Sequence, residues 1–590
     1  MPSSTGSSPS KRPRRTCTSR EDKKSELSQK RSPSPHAPQR RNPVKAFWST
    51  PQLIAGLMEL LPSQALYRCS LVSQSISSLA LDALWAADAK IINLLRILAP
   101  LVPRRSDSDT MNFSRTPRLT DWDRFYTYSA RVRDIECTDS DLSGLSHDAL
   151  LKFFTTIPPG NLPFPHLHTL RWSVQSELKM QFLNMFIHNG LNTFIVSSPL
   201  QSLCGVFDVV ARFAPNLTQL KIRVDGDKTR VSASLLCDLV LALKDLNQLQ
   251  VVEVPAVLLT PKISKFLSTK ASLTVLWACE FRNSVKFSTK KNDQKNSTSR
   301  EHFVSLLNLS LEIGSLLGES VNYLAAPLLV SLHVEIPQAT QEDWDRCVHI
   351  VARNCFALRS LSVSLYDDLD DDVRQSHITL DGVKEILKLP SLEALEIDDN
   401  SVPGFDDQDM ELLAPMCTNL LIFALCLFAH HPTTSKTPTF ASLIPFAQHC
   451  PNMESLGYFI DGSIPPPSLL PGNTPLDLCS LEISPYTKVE NTATVVAFLV
   501  ELLSPDAKID IDSRHCYKHC HGGGAFTIDE LSPYQKKWEE VEQLFSALQP
   551  IREKLAKKDV EFQGPVHVTG RIGQPDRSRD WTAVASCLSF

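Results

Sequence analysis

One small apolar pattern recurs through most of this 590-residue chain and limits what it can fold into. It is an apolar residue, two variable positions, a second apolar residue, one variable position and a third. The copies are Val132/Ile135/Cys137, Leu167/Leu170/Trp172, Leu217/Leu220/Ile222, Leu249/Val252/Val254, Leu273/Leu276/Ala278 and Leu306/Leu309/Leu311, then Leu329/Leu332/Val334, Leu358/Leu361/Val363, Leu392/Leu395/Ile397, Leu420/Phe423/Leu425, Met453/Leu456/Tyr458 and Leu478/Leu481/Ile483. Residues two apart share a face of a strand, so Leu395 and Ile397 point inward and Glu396 between them points the other way. First positions of successive copies lie 23 to 50 residues apart, mostly near 30, enough for one strand and one helix each. Amphipathic stretches fall between the copies as this requires: 232–243, 341–353 and 492–503 each carry apolar residues at helical spacing.

Residues 46–85, ahead of these units, read as three short helices too few to bury their own faces. Pro51 suits a first helical position behind Thr50, and Leu53, Ile54, Leu57, Leu60 and Leu61 then recur at three- and four-residue steps. Pro62 ends that helix, Ser63 is a natural N-cap, and Leu66, Cys69 and Leu71-Val72 carry the stripe toward Ile76, Leu79, Leu84 and Trp85. Such stripes also occur in unrelated helical domains. The order Leu61-Pro62-Ser63, Leu66, Leu71-Val72-Ser73, Leu84-Trp85 resembles the F-box, with Thr50-Pro51 where many F-boxes have Leu-Pro and Ser63 where many have an acidic cap. The resemblance implies docking to a Skp-type adaptor, and through it to a cullin. Leu53, Leu57, Leu61, Pro62, Leu66, Leu71 and Val72 would form or support the docking surface. The function implied is the non-catalytic substrate-recognition subunit of an SCF-type E3 ubiquitin ligase, for a protein substrate the sequence does not name. The alternative is an interaction scaffold that assembles no ligase.

The recurring units are in turn similar to degenerate leucine-rich repeats. Only Leu392 to Asn400 carries the full pattern, including the Asn that bonds the turn backbone elsewhere in that family. Parallel strands with crossover helices also describe a doubly wound α/β domain. The absence of a Gly-rich phosphate loop after any strand favours the solenoid. The expected fold class is therefore α/β: a three-helix F-box followed by a leucine-rich-repeat horseshoe, as in the large set of fungal F-box proteins. The expected divisions are a disordered basic arm at 1–45, the F-box at 46–90, a helical and loop linker at 91–130, the repeat domain at 131–515, and a C-terminal helix with an irregular tail at 516–590. Within the linker, Arg104 to Arg118 reads as a polar loop; the last helix should start near Pro533 and kink at Pro550.

Charge is divided unevenly along the chain. The first 45 residues hold twelve Lys or Arg and three acids, a net of +9, which leaves −14 for the rest. Lys11-Arg12-Pro13-Arg14-Arg15, Lys30-Arg31 and Arg40-Arg41 suit a nuclear import signal or a solvated tail, and no aromatic residue is interleaved there to stack on bases, so nucleic acid is not an expected partner. Fifteen Cys stand singly in apolar contexts, which suits a reducing compartment, and the longest apolar run is shorter than a membrane span. The expected location is the nucleus, the cytoplasm or both, without a membrane.

Two clusters invite chemistry. Asp367, Asp368, Asp370, Asp371 and Asp372 follow one unit's strand, and Asp398 and Asp399 follow the next, with Asp406, Asp407 and Asp409 beyond. Aligned strand ends would make these a rim for a basic substrate segment, or else ordinary solvated loops. Cys516, His519, Cys520 and His521, beside His515, have zinc-ligand chemistry, but no second pair follows at finger spacing, so neither metal nor cofactor is expected. No serine-hydrolase elbow, phosphate loop, dinucleotide fingerprint or His-Glu-x-x-His is present, which argues against an enzyme.

Overall fold

The computed structural model describes residues 47–562 except 49, 87–88, 105–106, 225–230, 279–302, 313–325, 338, 367–375, 400, 428–435, 470–475, 485–486 and 512–533. The arm at 1–45, most of the tail and the His/Cys cluster thus lie outside the described residues. The chain divides into two compact units, Met1–Ala80 and Leu81–Phe590.

In the first unit, helix α1 (Pro51–Glu59) starts with Pro51 at its first position, where the missing N–H has no intrahelical partner to lose. Ile54 and Met58, one turn apart, are its buried residues. Helix α2 (Ser63–Cys69) takes Pro62 as its N-cap in an extended conformation, so Ser63 stands inside the helix and caps nothing. Helix α3 (Gln74–Ala86) follows.

The second unit opens with the helix Ile91–Leu98 and an antiparallel hairpin, β1 (Leu101–Arg104) and β2 (Asp107–Phe113). The expected polar loop at 104–118 is thus partly a strand. Its alternation is visible only in Met111 and Phe113, and the backbone of Met111 is fixed by bonds to Gly144 and Ser146. The helix Leu119–Ser129 then buries Trp122 and Phe125.

Fourteen parallel strands follow. The first seven are β3 (Asp134–Thr138), β4 (Thr169–Ser173), β5 (Thr193–Ser197), β6 (Gln219–Arg223), β7 (Val251–Glu253), β8 (Val275–Ala278) and β9 (Asn308–Glu312). The others are β10 (Ser331–Pro337), β11 (Ser360–Tyr366), β12 (Ala394–Asp399), β13 (Ile422–Leu425), β14 (Ser455–Tyr458), β15 (Ser480–Ile483) and β16 (Lys508–Asp510). They form one sheet in chain order, each strand beside its sequence neighbours.

The register is uniform, so residues of one kind fall in rows across the sheet. Leu170, Phe194, Leu220, Val252, Leu276, Leu309, Leu332, Leu361, Leu395, Phe423, Leu456 and Leu481 are successive partners in one buried row. Crossover helices such as Ala233–Asp245, Gln341–Asn354 and Thr492–Leu502 add their own apolar stripes to the same core. The alternate residues are mostly half-buried and polar. Such alternation is what a sheet covered on one face requires.

A recurring four-residue turn ends several crossovers and sets the register. In Ala214-Pro-Asn-Leu217, Ala326-Pro-Leu-Leu329, Leu389-Pro-Ser-Leu392 and Cys450-Pro-Asn-Met453, the first carbonyl accepts from the last N–H at 3.1, 3.1, 3.4 and 3.3 Å. Proline has no N–H to extend a helix, so the chain must turn there, and the final Leu or Met enters the core at a fixed distance ahead of its strand.

These observations correct the expected fold class. In place of a helical F-box joined to a leucine-rich-repeat horseshoe, the chain forms an α/β fold dominated by one fourteen-stranded parallel sheet with α-helical crossovers. The apolar pattern specifies only the inward positions of a strand covered on one face, which any parallel sheet with one uncovered face shares. The turn Asn that marks the repeat family occurs at one position, Asn400, outside the described residues. Within the α/β class, the strand order here never reverses, so the sheet has no topological switch point at which a nucleotide crevice would open.

At the far edge the helix Gln535–Phe562 buries Trp538, Val541 and Phe545 and packs on Thr492–Leu502. Trp538 Nε1 donates to the Thr487 carbonyl at 2.9 Å, and Lys537 Nζ to that of Val489 at 2.7 Å. Pro550, the position of the expected kink, lies inside this helix.

Candidate functional site

Two surfaces stand out, one in each unit. In the first unit, six large apolar side chains are exposed within residues 48–72: Trp48, Leu53, Leu60, Tyr67, Leu71 and Val72. Single exposed apolar residues are ordinary on a protein surface, but this density is not. Leu60 is 82% exposed and Leu71 71%, while Leu57 and Leu61 are half-buried, Pro62 is exposed, and Leu66 is buried at 5%. Of the residues the F-box resemblance selects, Leu53, Pro62, Leu71 and Val72 thus face solvent and Leu66 belongs to the core. Tyr67 was not selected, because its polar hydroxyl hides an exposed ring from an apolar-spacing search.

The second surface is the uncovered face of the sheet. Its middle row runs Glu136, Arg171, Ile195, Lys221, Glu253, Trp277, Ser310, His333, Ser362, Glu396, Ala424, Gly457, Glu482 and Asp510, one residue from each strand of β3 to β16. The cations of the middle row lie toward β3 and already have partners, and Lys508 on β16 is exposed at the other end of this face. Arg171 pairs with Asp134 at 2.6 Å; Lys221 and Arg223 share the buried Glu253 at 3.3 and 3.0 Å, and Lys221 Nζ also lies 4.9 Å from the centre of the Trp277 ring.

At the centre a polar chain crosses three strands. Glu335 Oε1 is 3.0 Å from His333 Nε2, His333 Nδ1 is 3.0 Å from Ser362 Oγ, and Glu396 stands beside Ser362 on the next strand. Carboxylate, imidazole and hydroxyl in series suggest nucleophilic catalysis, but that chemistry also needs donors for an oxyanion. The neighbouring backbone N–H groups of β10, β11 and β12 lie within the sheet ladder, and a second carboxylate, Glu396, stands beside Ser362. The chain serves to fix side chains in place.

Glu396 and Glu482 lie beyond it, three strands apart in the same row, and Glu482 accepts from Ser455 Oγ at 2.8 Å. Burial pushes both carboxyl groups above their ordinary values; the charge of Glu482 adds to this at Glu396, and that of Asp510 at Glu482. Among the described residues neither has a Lys or Arg partner.

The acids singled out in the sequence are dispersed. Asp367, Asp368, Asp370, Asp371 and Asp372 lie outside the described residues. Asp398 is half-buried on the uncovered face. Asp399, one residue on, turns to the covered side, where it accepts from Ser376 Oγ at 2.9 Å, His377 N at 3.0 Å and Ser401 N at 3.1 Å. Asp406 and Asp409 form the capping box of Asp407–Leu413, and Asp407 holds Thr439. Cys516, His519, Cys520 and His521 lie outside the described residues, among which no group of His, Cys, Asp and Glu could hold a metal ion. No helix among the described residues is long and apolar enough to cross a membrane.

Compared with known proteins, the chain matches no family model and no curated protein.

Proposed function

We propose that the protein is the substrate-recognition subunit of an SCF-type E3 ubiquitin ligase. Helices α1–α3 hold a Skp-type adaptor, the adaptor brings a cullin, and the uncovered face of the sheet takes a protein substrate. The observation that carries the reading is the run of exposed apolar side chains Leu53, Leu60, Tyr67, Leu71 and Val72 in the stretch whose residue order resembles the F-box. A partner that covers them gains about 25 cal/mol for each Å² of apolar surface removed from water. Catalysis resides on other subunits, and this chain contributes by raising the effective concentration of substrate near the ubiquitin carrier.

The test is co-purification of the full chain, and of a Leu60→Asp, Leu71→Asp variant, with a Skp-type adaptor and a cullin. Both changes fall on exposed positions, so circular dichroism and the thermal midpoint of the variant should match the parent. Adaptor and cullin retained by the parent and lost by the variant is the expected result. A folded parent that retains no adaptor overturns the proposal, and adaptor without cullin reduces it to an interaction scaffold.

A further inference from the structure

The uncovered sheet face is divided in its charge balance, and the division states what it can accept. On the β3 side every cation of the middle row is already matched: Arg171 by Asp134, and Lys221 by Glu253 together with the Trp277 ring. On the β12 to β15 side, Glu396 stands beside Ser362, Glu482 accepts from Ser455, and neither carboxylate has a Lys or Arg partner among the described residues; the imidazole nearest in the row, His333, is engaged by Glu335 and Ser362. Between them in the row stand the two smallest side chains of the face, Ala424 and Gly457, and the Leu427 side chain lies against Gly457. The result is a short apolar floor with a carboxylate at each end.

We infer that this part of the sheet, β12 to β15, docks an extended segment of a partner protein carrying two basic side chains, one for Glu396 and one for Glu482. Aliphatic stems of Lys or Arg would lie over Ala424, Gly457 and Leu427 while their charged ends reach the carboxylates. Three strand intervals at about 4.8 Å place the Cα atoms of Glu396 and Glu482 about 14 Å apart, and an extended chain advances about 3.3 Å per residue. The two basic residues therefore stand four positions apart, which also puts them on one side of the segment. Leaving two like charges half-buried without a counterion is costly, and both groups are already pushed toward the neutral form; an arriving cation removes that cost. Placing the substrate here rests on the reading of the sheet face given above, and does not depend on adaptor docking.

The experiment measures fluorescence anisotropy of a labelled heptapeptide, Ser-Arg-Ser-Ser-Ser-Arg-Ser, titrated with the full-length protein at low and moderate salt. Comparison peptides carry Gln or Glu in place of Arg. The expected result is binding of the Arg peptide alone, weakened by salt and reduced by at least about tenfold in a Glu396→Gln, Glu482→Gln variant. A Glu136→Gln variant, altered at the opposite end of the row, should bind as the parent does. Equal binding of the Gln peptide, preference for the Glu peptide, unchanged affinity in the double variant or no binding by the folded parent each overturns the inference. Adaptor co-purification is run on the same preparations. Adaptor retained without peptide binding removes the substrate class alone, whereas peptide binding without adaptor removes the ligase reading alone.

Discussion

Leu427 lies against the backbone of Gly457, so that a Cβ at position 457 would stand 3.0 Å from Leu427 Cδ2 and 2.8 Å from Glu482 Cβ. The preceding residue, Cys426, has φ of 51°, rare for a residue with a side chain, and its N–H is bound to the Ile397 carbonyl. That turn follows the end of β13 and precedes Leu427. Gly457→Ala must therefore displace Leu427 or Glu482, and overpacking of this kind costs about 1–3 kcal/mol. Urea unfolding should show a lower midpoint at unchanged slope, and an unchanged midpoint would mean that Leu427 moves away freely.

Gly462 presents a harder case, because the obstacle is backbone. A Cβ there would fall 1.9 Å from the Lys488 carbonyl oxygen, with the Phe440 ring a further 3.3 Å contact. Carbonyl groups cannot rotate aside as side chains do. Gly462→Ala is expected to cost more than the ~3 kcal/mol upper end of ordinary overpacking and to lower soluble yield sharply. A variant that unfolds within about 1 kcal/mol of the parent would show that the segments around 462 and 488 separate readily.

The strands of the parallel sheet were largely legible in the sequence, and the two of them that were missed show why. All twelve copies of the apolar pattern coincide with strands of the sheet. The missed β5 obeys the same pattern as Leu191, Phe194 and Val196, hidden inside the widest interval, between Leu167 and Leu217. The missed β16 has only Ile509 buried among its three residues. The helices at 232–243, 341–353 and 492–503 were legible because a stripe of that length has one period. Fold class was not, since an inward pair of apolar residues describes any parallel sheet with one covered face. The row containing His333, Ser362, Glu396 and Glu482 was invisible for a different reason. These residues lie far apart in the chain, and only the strand register, set by turns such as Cys450-Pro-Asn-Met453, brings them side by side.

Trp538 fixes the C-terminal helix to the last crossover. It is fully buried near Phe440 and its indole N–H is satisfied by the Thr487 carbonyl at 2.9 Å. Trp538→Ala removes that packing and leaves a buried acceptor, at a cost of about 3–5 kcal/mol. Because the helix lies at the sheet edge, the loss should appear as local opening. Hydrogen exchange across 535–551 should accelerate far more than exchange in β4 to β6, and uniform acceleration would show instead that the sheet and helix unfold as one.

Asp121 should contribute to the acid sensitivity of the fold. Its carboxylate accepts from Arg115 Nη2 at 2.8 Å and from the Arg118 backbone N–H at 2.7 Å, and the Arg115 guanidinium, first among these causes, lowers its pKa from 3.8 to about 2. A carboxyl whose folded value is depressed contributes stability that is complete above the unfolded value and is lost as pH falls through the folded one. The window is therefore pH 4 down to about 2. Asp121 also opens the helix Leu119–Ser129, which carries Trp122 and Phe125 into the core, so the loss is transmitted to packing. Asp121→Asn should lower the thermal midpoint at pH 6, and the gap between variant and parent should close progressively below pH 4. A gap of constant size down to pH 2 would show that the asparagine disturbs helix capping alone, and that the Arg115 pair contributes nothing to the pH dependence.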